Sequence, residues 1–552
     1  MLGLFRGTSL ALLLGLTLVS TGSPAHEGEE ENAETPLILG VLDFPTSGAA
    51  AARDPFERGV MLLHSFEFDD ARTAFLEAQE VDPGFAMAIW GEALTLNHPL
   101  WAQQDRDSAL EVLAKLPAPD QRSLTEREER YLAAVQILYG EGSKQERDIA
   151  YMDAMRDMYM DYPDDLEAAS LYALSILGSV YERDFRTYMR AAAVAEEVFA
   201  KQPRHPGAAH YLIHSYDDQI HAPLGLRAAR EYTKIAPSAS HAQHMVSHIY
   251  TSLGRWDEVV EANITAVRVS EESMKRSGRN PALRSKHSLH WLQYALLQQG
   301  RFDEARDTLT IMRDDVIAVP EPHNRYHNAL MRASYAVEDP LSPRVLSVSD
   351  VQGFALEDRA IDIFATAFVH IANDELDAAR AELQRLQQQI DEEEIVSVED
   401  GLHEDDSYTS EDGYLVSTII ARELEALLEY RAGNISTALQ LLHSAVQDEN
   451  TRPLEYGPPH VPKPTSELLG EMLLGQGRAA EAAQQFESSL QRNTGRTLSL
   501  LGLLRAQEAT GDLAAAQTRQ QLAAMWQNPD PGSLESQNYS WLNGNAAAAG
   551  GR

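Results

Sequence analysis

The stretch HAQHMVSH, residues 241–248, sets three histidines at intervals of three and four. On an α-helix these intervals put His241, His244 and His248 on one face. A neutral imidazole offers one nitrogen lone pair, so such a face has donor chemistry suited to zinc, copper, nickel or iron. The i, i+4 spacing recurs as His210 and His214 in HPGAAHYLIHSYDD, where Asp217 and Asp218 follow as oxygen donors or as supports for a ligand. His287 and His290 form a third group, and nine of the eighteen histidines lie between His205 and His290. Imidazoles titrate at about pH 6.5, so the same cluster has the means to sense acidity. His323 and His327 repeat the spacing with only two ligands in view and read as a surface pair.

The elements that must position these residues are helices. The chain is rich in Ala, Leu, Glu, Gln and Arg and has almost no alternating strand pattern. A turn followed by an amphipathic helix recurs at 65–75, 253–263, 299–309, 373–383, 432–442, 476–486 and 510–520. Gly477 and Gly511 stand 34 residues apart, whereas Gly254 and Gly300 stand 46 apart, so the array is irregular. In GVMLLHSFEFDDARTAFLEAQEVDPGF, residues 59–85, the repeat positions are Gly59, Ala71, Phe75, Ala78 and Pro83; in 466–486 they are Leu469, Gly470, Ala482 and Phe486.

On these residues the chain resembles the tetratricopeptide repeat superfamily from about 55 to 528. FAMAIWGEALTLNHPLW (85–101), HPGAAHYLIHSYDD (205–218), SHIYTSLGRW (247–256) and YGPPHVPKPTSELLGEMLL (456–474) are similar to a subgroup of exported bacterial repeat proteins. The resemblance implies an all-α fold, an irregular α–α solenoid forming a right-handed superhelix of helix pairs. It also implies that the first helix of each pair lines a concave groove, at positions thirteen, ten and six before the turn glycine. Those positions are His241, His244 and His248 before Gly254, and His287, His290 and Tyr294 before Gly300. Aligning the preceding repeat adds His214, with His210 one helical turn earlier and Tyr211 beside it. His214, His244 and His290 thus become equivalent, and the histidine face is expected to be groove rather than core. Ten and six before Gly477, Glu467 and Glu471 make an acidic groove set able to grip a cationic ligand.

Residues 1–25 read as a secretory signal, with Arg6 before the apolar run Thr8 to Val19 and small residues at Ser23-Pro24-Ala25. Residues 26–54 read as a flexible leader, 55–337 as an N-terminal array and 338–358 as a Pro/Ser-rich connection. A C-terminal array at 359–528 carries an acidic insertion at 391–412, and 529–552 read as a disordered tail. The insertion holds 11 acidic residues in 22 but lacks the offsets of a calcium loop. The absence of cysteine rules out disulfides, thiolate metal sites and thiol catalysis. With the signal it points to a bacterial periplasmic or secreted protein without an integral membrane segment. The 552 residues carry a net charge of −38, which argues against nucleic acid as a partner.

Two functions follow. One is an exported binding or scaffold protein whose groove holds a peptide, protein segment or small ligand. The other is a divalent transition-metal protein, carrier or metalloenzyme, using His210, His214, His241, His244, His248, His287 and His290. The sequence has no HExxH helix, nucleophile elbow, phosphate loop or dinucleotide fingerprint.

Overall fold

The computed structural model describes residues 36–181, 184–341, 355–393, 411–454 and 456–530. Among them are twenty-three α-helices and one two-stranded ribbon, Asn97–His98 against Gln103–Gln104. The fold is all-α and made of packed helix pairs, as the repeat pattern predicts. Several pairs are reversed by a turn in which glycine takes a left-handed conformation: Gly254, Gly300 and Gly477 have φ of 66°, 69° and 72°. The following amide then reaches back to an orphan carbonyl of the first helix, Arg255 to Tyr250 at 2.8 Å and Arg301 to Leu296 at 3.0 Å. The first pair makes the same turn, Glu67 N–H to the Leu62 carbonyl at 3.0 Å, but with Phe66 in the glycine position at φ 55°. A bulky residue held there costs about 1–3 kcal/mol.

The repeat register is visible in the packing. The Phe75 ring lies against Gly59 and Gly91, and the Phe486 ring against Gly470 and Gly502, where any Cβ would come within 3 Å. Short apolar runs on successive helices give continuous cores. One runs from Ala329 and Val337 through Phe364 and Phe368 to Leu469 and Leu498, so it crosses the connection that divides the arrays in sequence.

Two sequence readings change. The leader is not free over its second half: Leu39 and Phe44 are buried. The Val41 amide bonds to the Arg204 carbonyl and Ser238 to Ile38. The Phe44 ring sits 5.4 Å from Phe56 and 5.6 Å from Trp90, because those helices leave an aromatic socket that one strap residue fills. The tail begins ordered, with the Asp530 amide donating to Gly300. The C-terminal array also packs back on the N-terminal one. Trp256 Nε1 donates to the Gly495 carbonyl at 3.0 Å, the Thr497 amide to Gln298 Oε1 at 2.9 Å, and Trp526 Nε1 to the Gln298 carbonyl at 2.8 Å. The signal, residues 26–35, most of the connection and acidic insertion, and 531–552 lie outside the described residues. No described helix is long and apolar enough to cross a membrane.

Candidate metal centre

Four helices bring imidazoles together: Arg53–His64, Pro206–Ser215, Ser240–Ser252 and Lys286–Gln298. Ligand atoms of His210, His214 and His241 lie within 4.8 Å of one another, and so do those of His244, His248 and His287. The two triads adjoin, with ring centroids 6.0 Å apart from His241 to His244 and from His214 to His248. His210, His244 and His248 are buried, while His214, His241 and His287 are partly covered. Burial first, and neighbouring imidazoles second, hold His210, His241, His244 and His287 well below the ordinary imidazole value. They are therefore neutral at pH 7.

The partners fix which nitrogen carries the proton. A carboxylate or carbonyl oxygen only accepts, so each imidazole nitrogen facing one is an N–H donor. His248 Nδ1 donates to Asp217 Oδ2 at 2.6 Å. His244 Nδ1 donates to Asn263 Oδ1 at 2.7 Å, and Asn263 is held in that orientation by donating its own amide to the Val259 carbonyl. Both Nε2 atoms are left to face each other at 3.0 Å. Two bare lone pairs at that distance repel unless a cation lies between them, either an additional proton or a metal ion. An ion about 2.0–2.1 Å from each nitrogen in a tetrahedral site would set them roughly 3.3 Å apart. A carboxylate behind a histidine is also the usual support of a metal ligand, since it fixes the ring and raises its basicity.

A third group, His64, Glu167 and His205, is fully buried and equally close-set, but its protons are arranged differently. His205 Nδ1 accepts from the Ala208 amide at 3.2 Å, so its Nε2 carries the proton and donates to Glu167 at 2.9 Å. His64 Nε2 donates to the other carboxylate oxygen at 2.7 Å, and its Nδ1 meets the Tyr211 hydroxyl at 2.8 Å. These rings direct N–H groups, not lone pairs, at the carboxylate. The group is a satisfied polar network that ties the first helix to two later ones.

The surroundings of the two triads differ. His248 is covered by Trp291, with centroids 4.2 Å apart, and by Tyr456 at 5.7 Å. Gly457, at φ 87°, lets the chain pass over Trp291, where a Cβ would lie 2.3 Å from the ring. His241 instead borders a cavity of about 1790 Å³ whose wall includes Phe66, Phe68, His98, Trp101 and Arg279. Phe66 stands between cavity and cluster, 4.4 Å from His210 and 5.5 Å from His241. Burial pushes the nearby Glu67 carboxyl up to about 7, against the hydrogen bond it accepts from the His241 amide.

The helix register therefore gathers six of the seven predicted histidines, although not in the predicted set. His290 turns from His244 towards His327, with centroids 5.6 Å apart, and burial lowers it to about 3. His287 takes its place, because each triad is an i, i+4 pair completed from the start of the next inner helix. His323 is exposed but His327 is buried, so they are not a surface pair. The expected groove residues Tyr211 and Tyr294 are buried and engaged, Tyr211 with His64 and Tyr294 with Arg496 at 3.1 Å. The acidic set is corrected as well. Glu467 accepts from Arg496 Nε at 2.8 Å and Lys463 Nζ at 2.9 Å, and Glu471 accepts from Lys463 at 2.6 Å. Their cation is supplied by the chain itself. Asp218 supports the loop, accepting from the Ile220 and His221 amides. Sequence reasoning missed Asn263 and the His64–Glu167–His205 network, in which His64 and Glu167 stand 103 residues apart along the chain.

No known family model matches the chain, and no curated protein matches it in sequence. Solved structures that align over most of its length include the TPR domain of P58(IPK), 12% identical over 84% of this chain and 99% of that one, with a TM-score of 0.23. Yeast Tom70 is 13% identical over 85% of this chain and 92% of its own, with a TM-score of 0.31. The human IFIT1 dimer with m7Gppp-AAAA is 12% identical over 87% and 90%, with a TM-score of 0.32. Scores of this size carry no residue role, ligand or partner over to this chain.

Proposed function

We infer that this helical-repeat protein is a binding protein organised around a transition-metal ion held by His244, His248 and His287. The observation that carries the reading is the pair of Nε2 atoms 3.0 Å apart, each on a ring whose other nitrogen is committed as a donor. Three imidazoles supported by a buried carboxylate suit zinc, copper, nickel or iron, and they leave at least one coordination position for water or a ligand. The apolar opening of the sequence and its lack of cysteine support export to a bacterial periplasm or exterior as the setting.

Elemental analysis of the mature protein, purified without a histidine tag or chelator, tests the reading beside a His244→Ala/His248→Ala variant. Near-stoichiometric metal that the variant loses is the expected result. A metal-free protein that also takes up none of the four ions when they are added would sink it.

A further inference from the structure

We propose that a second ion binds beside the first, at His210, His214 and His241, and that this one exchanges its remaining ligands with the cavity. The proposal rests on the reading of the first centre and extends it from one ion to two.

The geometry of the second triad repeats that of the first. His210 Nδ1 donates to the His64 carbonyl at 2.7 Å, which leaves Nε2 bare and facing His214 Nε2 at 3.0 Å. A proton on His214 Nε2 would satisfy that contact alone. It would do nothing for His241, whose buried Nε2 has no hydrogen-bond partner and one of whose ring nitrogens lies within 4.8 Å of the ligand atoms of the other two. A buried imidazole nitrogen without a partner is costly, and an ion shared with His210 and His214 removes that cost. His241 sits 5.0 Å from His210 and 6.0 Å from His244, so it closes one triad while touching the other.

The two sites differ in support and access. The first has a carboxylate and an oriented amide behind its rings and is roofed by Trp291. In the second, a backbone carbonyl lies behind His210 and the third ligand forms part of the cavity wall. A wall position leaves coordination open to exchange, whereas the roof over His248 closes the first site. The first ion is therefore the tightly held one. The second is the labile one, and the ligand class it takes from the cavity is a small oxygen donor such as a carboxylate.

Titration of the metal-free full chain with Co(II), followed by calorimetry and visible absorption, tests this. The wild type should take up two ions, the second at least tenfold more weakly. His241→Ala and the milder His241→Asn should each remove only the weaker ion, and His287→Ala the tighter. Acetate should shift the absorption of the second equivalent and leave the first unchanged. One ion in the wild type, retained in both His241 variants and lost in His287→Ala, overturns the second site while the first centre stands. No ion in the wild type overturns both. Two ions with no acetate response on the second would overturn its opening to the cavity.

Discussion

Asp217 accepts the Nδ1–H of His248 at 2.6 Å and is itself buried, so the proposed metal gives its role a readout separate from stability. Asp217→Asn should lower affinity for the first ion about 10- to 100-fold, measured by competition with a chelating indicator. Phe66 sets two effects against each other. Phe66→Gly relieves a left-handed backbone cost of about 1–3 kcal/mol, but deleting a buried ring costs about 3–5 kcal/mol. The ring should win, giving a lower urea midpoint despite the restored turn glycine. Glu471 supplies a pH signature. Burial, reinforced by Glu467 and opposed by Lys463, raises its carboxyl from 4.5 to about 7. Between those values the folded protein keeps a proton that the unfolded chain has released, so this group's contribution to stability falls as pH rises across the window and is level above it. The urea midpoint of Glu471→Gln minus that of the wild type should therefore grow from pH 5 to pH 7.5; a constant difference would contradict the assignment. Much of this scale was legible in the sequence, because i, i+4 histidines share a helix face wherever the helix lies. Which nitrogen carries a proton was not, since that depends on Asn263 and Asp217 arriving from other elements.

At the scale of elements, the helices were legible because an apolar stripe at helical period and a turn glycine are both local signals. The strap from residue 38 to 47 was not. Its apolar residues, Ile38, Leu39, Val41, Leu42 and Phe44, lie between an acidic stretch and an Ala/Gly-rich one, and only the socket shows what Phe44 is for. Arg127 lies over the Phe44 ring at 4.5 Å, and Ser47 is held by Glu128, which also closes the capping box with Thr125. Phe44→Ala should cost about 3–5 kcal/mol in urea unfolding. Loss of a loose leader would cost almost nothing. Repeat counting brings six of the seven histidines to neighbouring helices but does not say which of them meet. The residues that meet depend on how each helix is turned about its axis, which repeat counting does not contain; hence His287, not His290, completes the first triad.

At the scale of the molecule, the buried charges join the two arrays. Arg496 is buried against Glu467 at 2.8 Å and reaches Tyr294, 202 residues away in sequence. Removing one partner of such a pair leaves the other charged and dry, so Arg496→Ala should cost about 3–5 kcal/mol and expose the 492–497 turn to limited proteolysis. An open solenoid stacks each repeat only on its neighbours and tolerates gain or loss of repeats. Here the turn at Gly254 meets the turn at Gly495 so closely that a Cβ on Gly495 would lie 2.9 Å from the Gly254 Cα. That contact fixes how many helix pairs can stand between the two turns. Inserting or deleting one would carry Gly495, Arg496 and Thr497 out of reach of their partners, so the lineage of this fold is free to change its side chains but not its number of repeats.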